Sequence, residues 1–219
     1  MGKRAAVEDG RIVAISGMSR SGKTSFAVRA LNGFERVVIW DPDDELSKRA
    51  RAVRFDRLGD LIAALRRAQD GPLRACYVPA NMTRKALIAA FGLWSRSAFA
   101  WCVDYGGPVA VLADELADVS NAGKAPEGWG QLIRRGAKHG LNTFAISQRW
   151  SEADKTTLGN AARMVAFRAS NTLESEYVAQ RFRGVQAQEL EDLRMKSYIE
   201  LDRWTGARYE GVVNPAKDG

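Results

Sequence analysis

The chain has 219 residues, 46% of them hydrophobic and 27% charged, with 33 Lys plus Arg against 26 Asp plus Glu for a net charge of +7. That length suits one α/β domain with a sizeable core and is short for two, and the composition is ordinary for a soluble globular protein. The basic balance favours an anionic partner without identifying one.

The opening M-G-K-R-A-A-V-E-D-G turns acidic where a signal peptide needs an apolar core, so no targeting segment is expected. The first strand is expected at R-I-V-A-I-S (11–16). G-M-S-R-S-G-K-T (17–24) follows it and precedes a helical pattern. This meets G-x-x-x-x-G-K-[ST] in its required setting, strand before and helix after. Glycines let backbone N–H groups turn inward around phosphate oxygens, and the helix start near Gly22 adds partial positive charge. Lys23 is placed to reach the β- and γ-phosphates, and the Thr24 hydroxyl to ligate Mg²⁺. Gly17, Ser19, Arg20, Ser21, Gly22, Lys23, Thr24 and Ser25 form the candidate ATP-binding set.

R-V-V-I-W-D (36–41) reads as a second strand, after which D-P-D-D-E could touch nucleotide or a neighbour, with Asp43 or Asp44 as cap of a helix before E-L-S-K-R the favoured role. A-V-R-F (52–55) and R-A-C-Y-V (74–78) read as strands, and L-G-D-L-I-A-A-L-R-R-A (58–68) and M-T-R-K-A-L-I-A-A-F-G-L-W (82–94) have helical apolar spacing. The weakly polar stretch that continues to Val103 is broken by Arg96 and reads as a buried helix, not a membrane span. Cys76 and Cys102 lie in apolar runs without metal or redox spacing, as core residues of a reduced cytosolic protein do.

P-V-A-V-L-A-D (108–114) is a strand ending in Asp114-Glu115. A carboxylate at that strand end can hold the Mg²⁺ water shell, and its neighbour can polarise the attacking water as a general base. Lys124, in the Gly/Pro loop S-N-A-G-K-A-P-E-G, is a candidate to grip a nucleic-acid backbone. Arg84 and Lys85, opening a helix, are a second candidate pair. L-I-R-R-G-A-K-H-G-L carries Arg134, Arg135 and Lys138 with no acid between Trp129 and Ser151. Such a run can supply an arginine to a neighbour's active site, or serve as a solvated basic face or nucleic-acid patch. His139 has no second ligand at metal spacing and is expected to face solvent at a helix end. N-T-F-A-I-S (142–147) is a strand leading to Gln148, placed to sense the γ-phosphate or its attacking water. R-M-V-A-F-R (163–168) is the next strand. K-S-Y-I-E-L-D-R-W (196–204) and A-R-Y-E-G-V-V (207–213), joined at Thr205-Gly206, read as an antiparallel hairpin. Short continuously apolar strands alternating with helices indicate an α/β fold whose mostly parallel sheet is covered on both faces, here with a hairpin added at one edge.

The ordered set G-M-S-R-S-G-K-T, R-V-V-I-W-D-P-D-D-E, V-A-V-L-A-D-E, L-I-R-R-G-A-K-H-G-L-N-T-F-A-I-S-Q-R-W and N-A-A-R-M-V-A-F-R-A-S-N-T-L-E-S-E-Y-V resembles the FtsK/HerA superfamily of DNA-pumping ATPases over residues 11 to 183. The resemblance implies a RecA-like P-loop NTPase core and a homo-oligomeric ring, usually hexameric. It also implies ATP- and Mg²⁺-dependent translocation of double-stranded DNA. Carried over, Lys23 and Thr24 bind phosphate and Mg²⁺, Asp114 holds the Mg²⁺ shell, Glu115 activates water and Gln148 is the sensor. Arg134 or Arg135 is the finger acting in trans. The family's proline after Gln-Arg is Trp150 here, which alters the local turn.

Within the superfamily the likeness is to the compact genome-packaging ATPases of membrane-containing icosahedral viruses such as tectivirus-like phages. Residues 1–219 are then one ATPase domain, with the motor core at 11–183 and a C-terminal helix and hairpin at 184–214. The expected setting is cytoplasmic, in the host if the protein is viral, or at a virion vertex with capsid or vertex proteins as partners and no membrane insertion. The competing readings are a secretion or virion-assembly ATPase and a small-molecule kinase.

Overall fold

The computed structural model describes residues 10–214. The first nine residues, where no targeting signal is expected, and residues 215–219 lie outside the described part.

Nine strands form one sheet in the order β3-β4-β2-β5-β6-β1-β7-β8-β9. They are β1 (Ile12–Ser16), β2 (Arg36–Trp40), β3 (Val53–Phe55), β4 (Leu73–Tyr77), β5 (Val109–Ala113), β6 (Leu141–Ser147), β7 (Arg163–Phe167), β8 (Ser197–Asp202) and β9 (Arg208–Val212). The first seven are mutually parallel. β7–β8 and β8–β9 are antiparallel, as the hairpin reading expects. Every residue of β1, β2 and β5 is buried. A strand covered on both faces cannot alternate apolar with polar, which is why these runs are continuously apolar.

The helices are α1 (Lys23–Ala30), α2 (Leu58–Ala68), α3 (Arg84–Tyr105), α4 (Leu116–Val119), α5 (Glu127–Arg135), α6 (Lys155–Asn160), α7 (Thr172–Ala179) and α8 (Ala187–Asp192). They divide unevenly between the faces. One face packs Ile12, Ala14, Trp40, Val111 and Ala113 with core residues of α2, α3, α5 and α7. The other packs Val13, Ile15, Val37, Ile39 and Val165 with Ala27 and Val28 of α1 and with Leu46 and Ala50 from the turns after β2. Alternate residues of one strand thus serve opposite cores.

The first core is aromatic. Trp40 meets Tyr77, Phe91 and Trp94 at centroid distances of 5.4, 5.0 and 5.7 Å, and Phe91 meets Trp129 at 5.2 Å. The close approach of α5 to α3 requires Gly128, because a Cβ there would lie 2.1 Å from the Gly92 carbonyl oxygen. α3 is long and apolar enough to cross a bilayer by length and composition, yet Phe91, Trp94, Ala98, Trp101 and Cys102 are buried in this fold. Both cysteines are buried and unpaired.

Two local expectations change. No helix follows β2, so neither Asp43 nor Asp44 caps one. Asp41 organises the turn instead, its carboxylate accepting from the N–H groups of Glu45 (3.2 Å) and Leu46 (2.7 Å). His139 sits half-buried in a single 3₁₀ turn, edge-on to Phe99 at 5.9 Å, and does not project from a helix end.

Candidate nucleotide site

Three neighbouring strands, β5, β6 and β1, carry the sequence-derived candidates at their C-terminal ends, the edge where open parallel sheets bind ligands. β5 ends at Asp114-Glu115, β6 at Ser147-Gln148 and β1 at the glycine loop, with Ser16 paired to Ser147 and Ala113 to Ala145. Gln148 therefore stands between the acid pair and the loop.

The loop needs its glycines. Gly17 (φ 144°) and Gly22 (φ 114°) occupy conformations that L side chains rarely adopt. A Cβ on Gly17 would fall 2.6 Å from that of Phe167, and one on Gly22 3.0 Å from the Phe167 ring. Phe167 thus sets the height of the loop over β7, and the Met18 N–H donates to the Arg168 carbonyl at 2.7 Å to hold it there. Gly22 precedes α1 with no side-chain cap, which leaves the first N–H groups of that helix for an anion. The Ser21 hydroxyl is buried and lacks a hydrogen-bond partner among the described residues.

Lys23 is buried, and its ammonium donates to the Met18 carbonyl across the loop at 2.7 Å. Burial pulls its pKa down, opposed by the charges of Glu115 and Asp114. Glu115 has a left-handed backbone (φ 44°, ψ 60°) at the start of α4. Its carboxylate accepts from the Gln148 backbone N–H at 3.4 Å and side-chain amide at 3.2 Å. Burial pushes the Glu115 carboxyl up, aided by Asp118, while the Gln148 donors hold it back. A base with a raised pKa, held by an amide, can accept a proton from a positioned water.

Asp114 is pushed up to about 7 by burial, the charges of Glu115 and Asp41 adding to the effect. A carboxyl whose folded pKa exceeds its unfolded value contributes stability that is present below about pH 4 and lost as pH rises through about 7. Asp114→Asn should therefore melt higher than wild type at pH 8, by about 2–4 °C per kcal/mol recovered, and the gap should shrink towards pH 4. Thermal melts of the ligand-free protein across that range check this. A gap independent of pH would contradict it.

The cleft has a volume of about 500 Å³ and is lined by Ser19, Arg20, Gly22, Lys23, Thr24, Ser25, Asp43, Glu45, Arg49, Asp114, Glu115, Gln148, Lys196 and Val213. Five of these, Asp43, Glu45, Arg49, Lys196 and Val213, lie outside the sequence-derived site set. Asp43 faces the cleft. Arg49 donates to the Ser25 hydroxyl at 2.6 Å, although nothing in its own segment marks it. Lys196 arrives from the C-terminal hairpin. Thr24 and Asp114 offer the oxygen donors that suit Mg²⁺, and the loop, α1 and Lys23 suit a polyphosphate, so the residues present fit Mg²⁺-ATP. A larger hollow of about 740 Å³, lined by Arg29, Arg49, Arg51 and Arg74 among others, lacks the acid–amide pair.

Arg134 and Arg135 are exposed on the last turn of α5 and do not line their own chain's cleft. Trp150, in place of the proline, is fully buried and donates its indole N–H to the Ile15 carbonyl of β1 at 3.1 Å, tying the turn after Gln148 to the phosphate-loop strand. Arg149 bridges Asp118 and Glu152, both at 2.9 Å.

No protein-family model matches the chain. A curated relative, Protein P9 of Pseudoalteromonas phage PM2, is 32% identical over 146 residues, which is 65% of this chain and 61% of P9. The chain thus spans about three fifths of that relative's length. Among solved structures, the genome packaging NTPase B204 from Sulfolobus turreted icosahedral virus 2, in complex with AMPPCP, superposes with a TM-score of 0.70 at 15% identity, covering 91% of this chain and 96% of B204. VirB4 of Thermoanaerobacter pseudethanolicus gives 0.65 at 10% identity, with full coverage of both chains. The fold is that of a P-loop NTPase. More narrowly, it is the fold of the FtsK/HerA-type ATPases that the sequence resembles.

Proposed function

We propose that the chain is an ATPase of the FtsK/HerA type that assembles into a ring, pumps double-stranded DNA and packages a viral genome. Its expected partners are capsid or vertex proteins in the host cytoplasm. The observation that carries this reading is the contact between Glu115 and Gln148 beside a phosphate loop built around Phe167. In the proposed roles, the loop N–H groups and Lys23 hold the phosphates, Thr24 and Asp114 hold Mg²⁺, and Glu115 takes a proton from water that Gln148 orients. Mg²⁺ would neutralise charge on the phosphates. Water is the natural acceptor for this acid–amide pair, whereas a kinase normally sets its Mg²⁺ strand beside the phosphate-loop strand; here β6 lies between them.

For DNA, Arg84 reaches the start of the loop that carries Lys124. Lys124 lies in a loop turned by the Asn121 side chain, which accepts from the Gly123 and Lys124 N–H groups. That loop begins at Ser120, whose carbonyl accepts from Arg84 at 3.5 Å. In the proposed reading, Arg84, Lys85 and Lys124 contact a phosphate backbone.

The test is ATP turnover with and without duplex DNA, together with DNA binding over a salt series. Duplex DNA should stimulate turnover. If some six phosphates are contacted, affinity should fall by roughly 10³-fold between 50 and 200 mM salt, whatever the sequence. Turnover indifferent to duplex DNA, with binding flat in salt, would favour the secretion or virion-assembly reading.

A further inference from the structure

Lys196 lies outside the phosphate-loop motif, and its backbone is clamped against the loop. Its N–H donates to the Ser21 carbonyl at 3.0 Å, and its own carbonyl accepts from the Val213 N–H at 2.9 Å. Its Cα is 3.5 Å from the position a Cβ on Gly22 would take. Two residues on, Tyr198 packs against Phe26 of α1 and Phe167 beneath the loop, at 5.1 and 5.5 Å. The start of β8 is thus fixed on the loop by backbone hydrogen bonds and a neighbouring ring, without using the Lys196 side chain.

Lys196 lines the cleft with Lys23, Thr24, Glu115 and Gln148, and it is exposed. Its ammonium makes no hydrogen bond or ion pair with any described residue. Moreover, Lys196 holds φ at 70°, a left-handed region that strains a non-glycine residue. Glycine would satisfy the same backbone contacts with less strain. A strained lysine whose ammonium has no partner among the described residues, in a cleft that also holds Lys23 and Thr24, suits an anion-binding role.

We propose that Lys196 is a second phosphate-binding lysine, delivered by the C-terminal hairpin to the polyphosphate chain of a bound nucleoside di- or triphosphate. This rests on the nucleotide reading of the cleft. Because Lys196 adjoins the Ser21–Gly22 side of the loop, its contact forms in the ground state. Its loss should weaken ADP and a non-hydrolysable ATP analogue alike, raising KM and leaving kcat nearly unchanged.

The experiment measures the affinity of both nucleotides for wild type, Lys196→Gly, Lys196→Arg and Lys23→Ala at low and high salt, with a thermal melt of each. Lys196→Gly should melt at or above the wild-type temperature and bind both nucleotides about tenfold more weakly at low salt, the size of one charge-assisted hydrogen bond in a wet cleft. Lys196→Arg should recover most of the affinity, and high salt should narrow the differences. If wild type binds and Lys23→Ala does not, yet Lys196→Gly binds like wild type, the second lysine is refuted and the cleft stands. If wild type binds neither nucleotide, the reading of the cleft itself fails. Should Lys196→Gly not fold, Lys196→Asn, which tolerates the same backbone without charge, carries the same expectation.

Discussion

Glutamine in place of Glu115 is expected to cut ATP turnover by about 10²–10⁴-fold while leaving ATP affinity within a few-fold of wild type. The substitution keeps the side chain's length and an oxygen for the Gln148 amide, which now meets Glu115 at 3.2 Å. What it removes is the basic site for the proton of the attacking water. Stability should change little, because the amide avoids the burial penalty on the charge but turns an NH2 towards one of the two Gln148 donors. Lys23→Ala should behave in the opposite way, losing ATP binding itself, since the buried ammonium is the loop's one fixed cation. Equilibrium binding and single-turnover hydrolysis separate the two effects. Full turnover in Glu115→Gln would remove Glu115 as the base, and wild-type affinity in Lys23→Ala would remove the loop as the phosphate site.

Much of this site was legible because its signals are local. A glycine loop between an apolar strand and a helix, or Asp-Glu at a strand end, is written in a few consecutive residues. The buried strands were equally plain, since parallel strands covered on both faces have no polar positions to confuse their pattern. The buried helix read as continuing to Val103 runs to Tyr105, with Ser95 and Ser97 inside it. Their hydroxyls donate to the Phe91 and Leu93 carbonyls four residues back, so the polar groups are satisfied within the helix. The features that escaped are long-range. Asp41, not its acidic neighbours, organises the turn after β2, and only the fold shows which N–H groups it reaches. The insertion of β6 between β1 and β5, which sets Gln148 against Glu115, is a matter of strand order. Lys196 stands far from the loop in sequence, and no spacing rule would join it to Ser21.

Mixing two dead variants is expected to restore turnover. One lacks both Arg134 and Arg135, and the other is Lys23→Ala. Both arginines are exposed on α5 and do not line their own chain's cleft, so a guanidinium acting on the phosphates in cis would need α5 to move. α5 is poorly placed for that, because Trp129 is fully buried and donates to the Thr157 hydroxyl at 2.8 Å, and Gly128 lies directly against α3. In a ring, the same rigid helix can present its arginines to the cleft of the next subunit. A guanidinium delivered there neutralises charge developing on the γ-phosphoryl group, an effect worth about 10³–10⁵-fold where such fingers act. Each variant alone should therefore fall by at least about 10³-fold, one for want of the finger and the other for want of the loop lysine. In a mixed ring, an intact loop from the arginine-free chain meets intact arginines from the Lys23→Ala chain. Turnover should recover in part, and only at concentrations where assembly is seen by light scattering or sedimentation. Random mixing at equal amounts would complete about a quarter of the interfaces, which sets the scale of recovery for independently firing sites. Mixed rings that form and stay inactive would place both defects in one chain's site, and the trans role of Arg134 and Arg135 would fall.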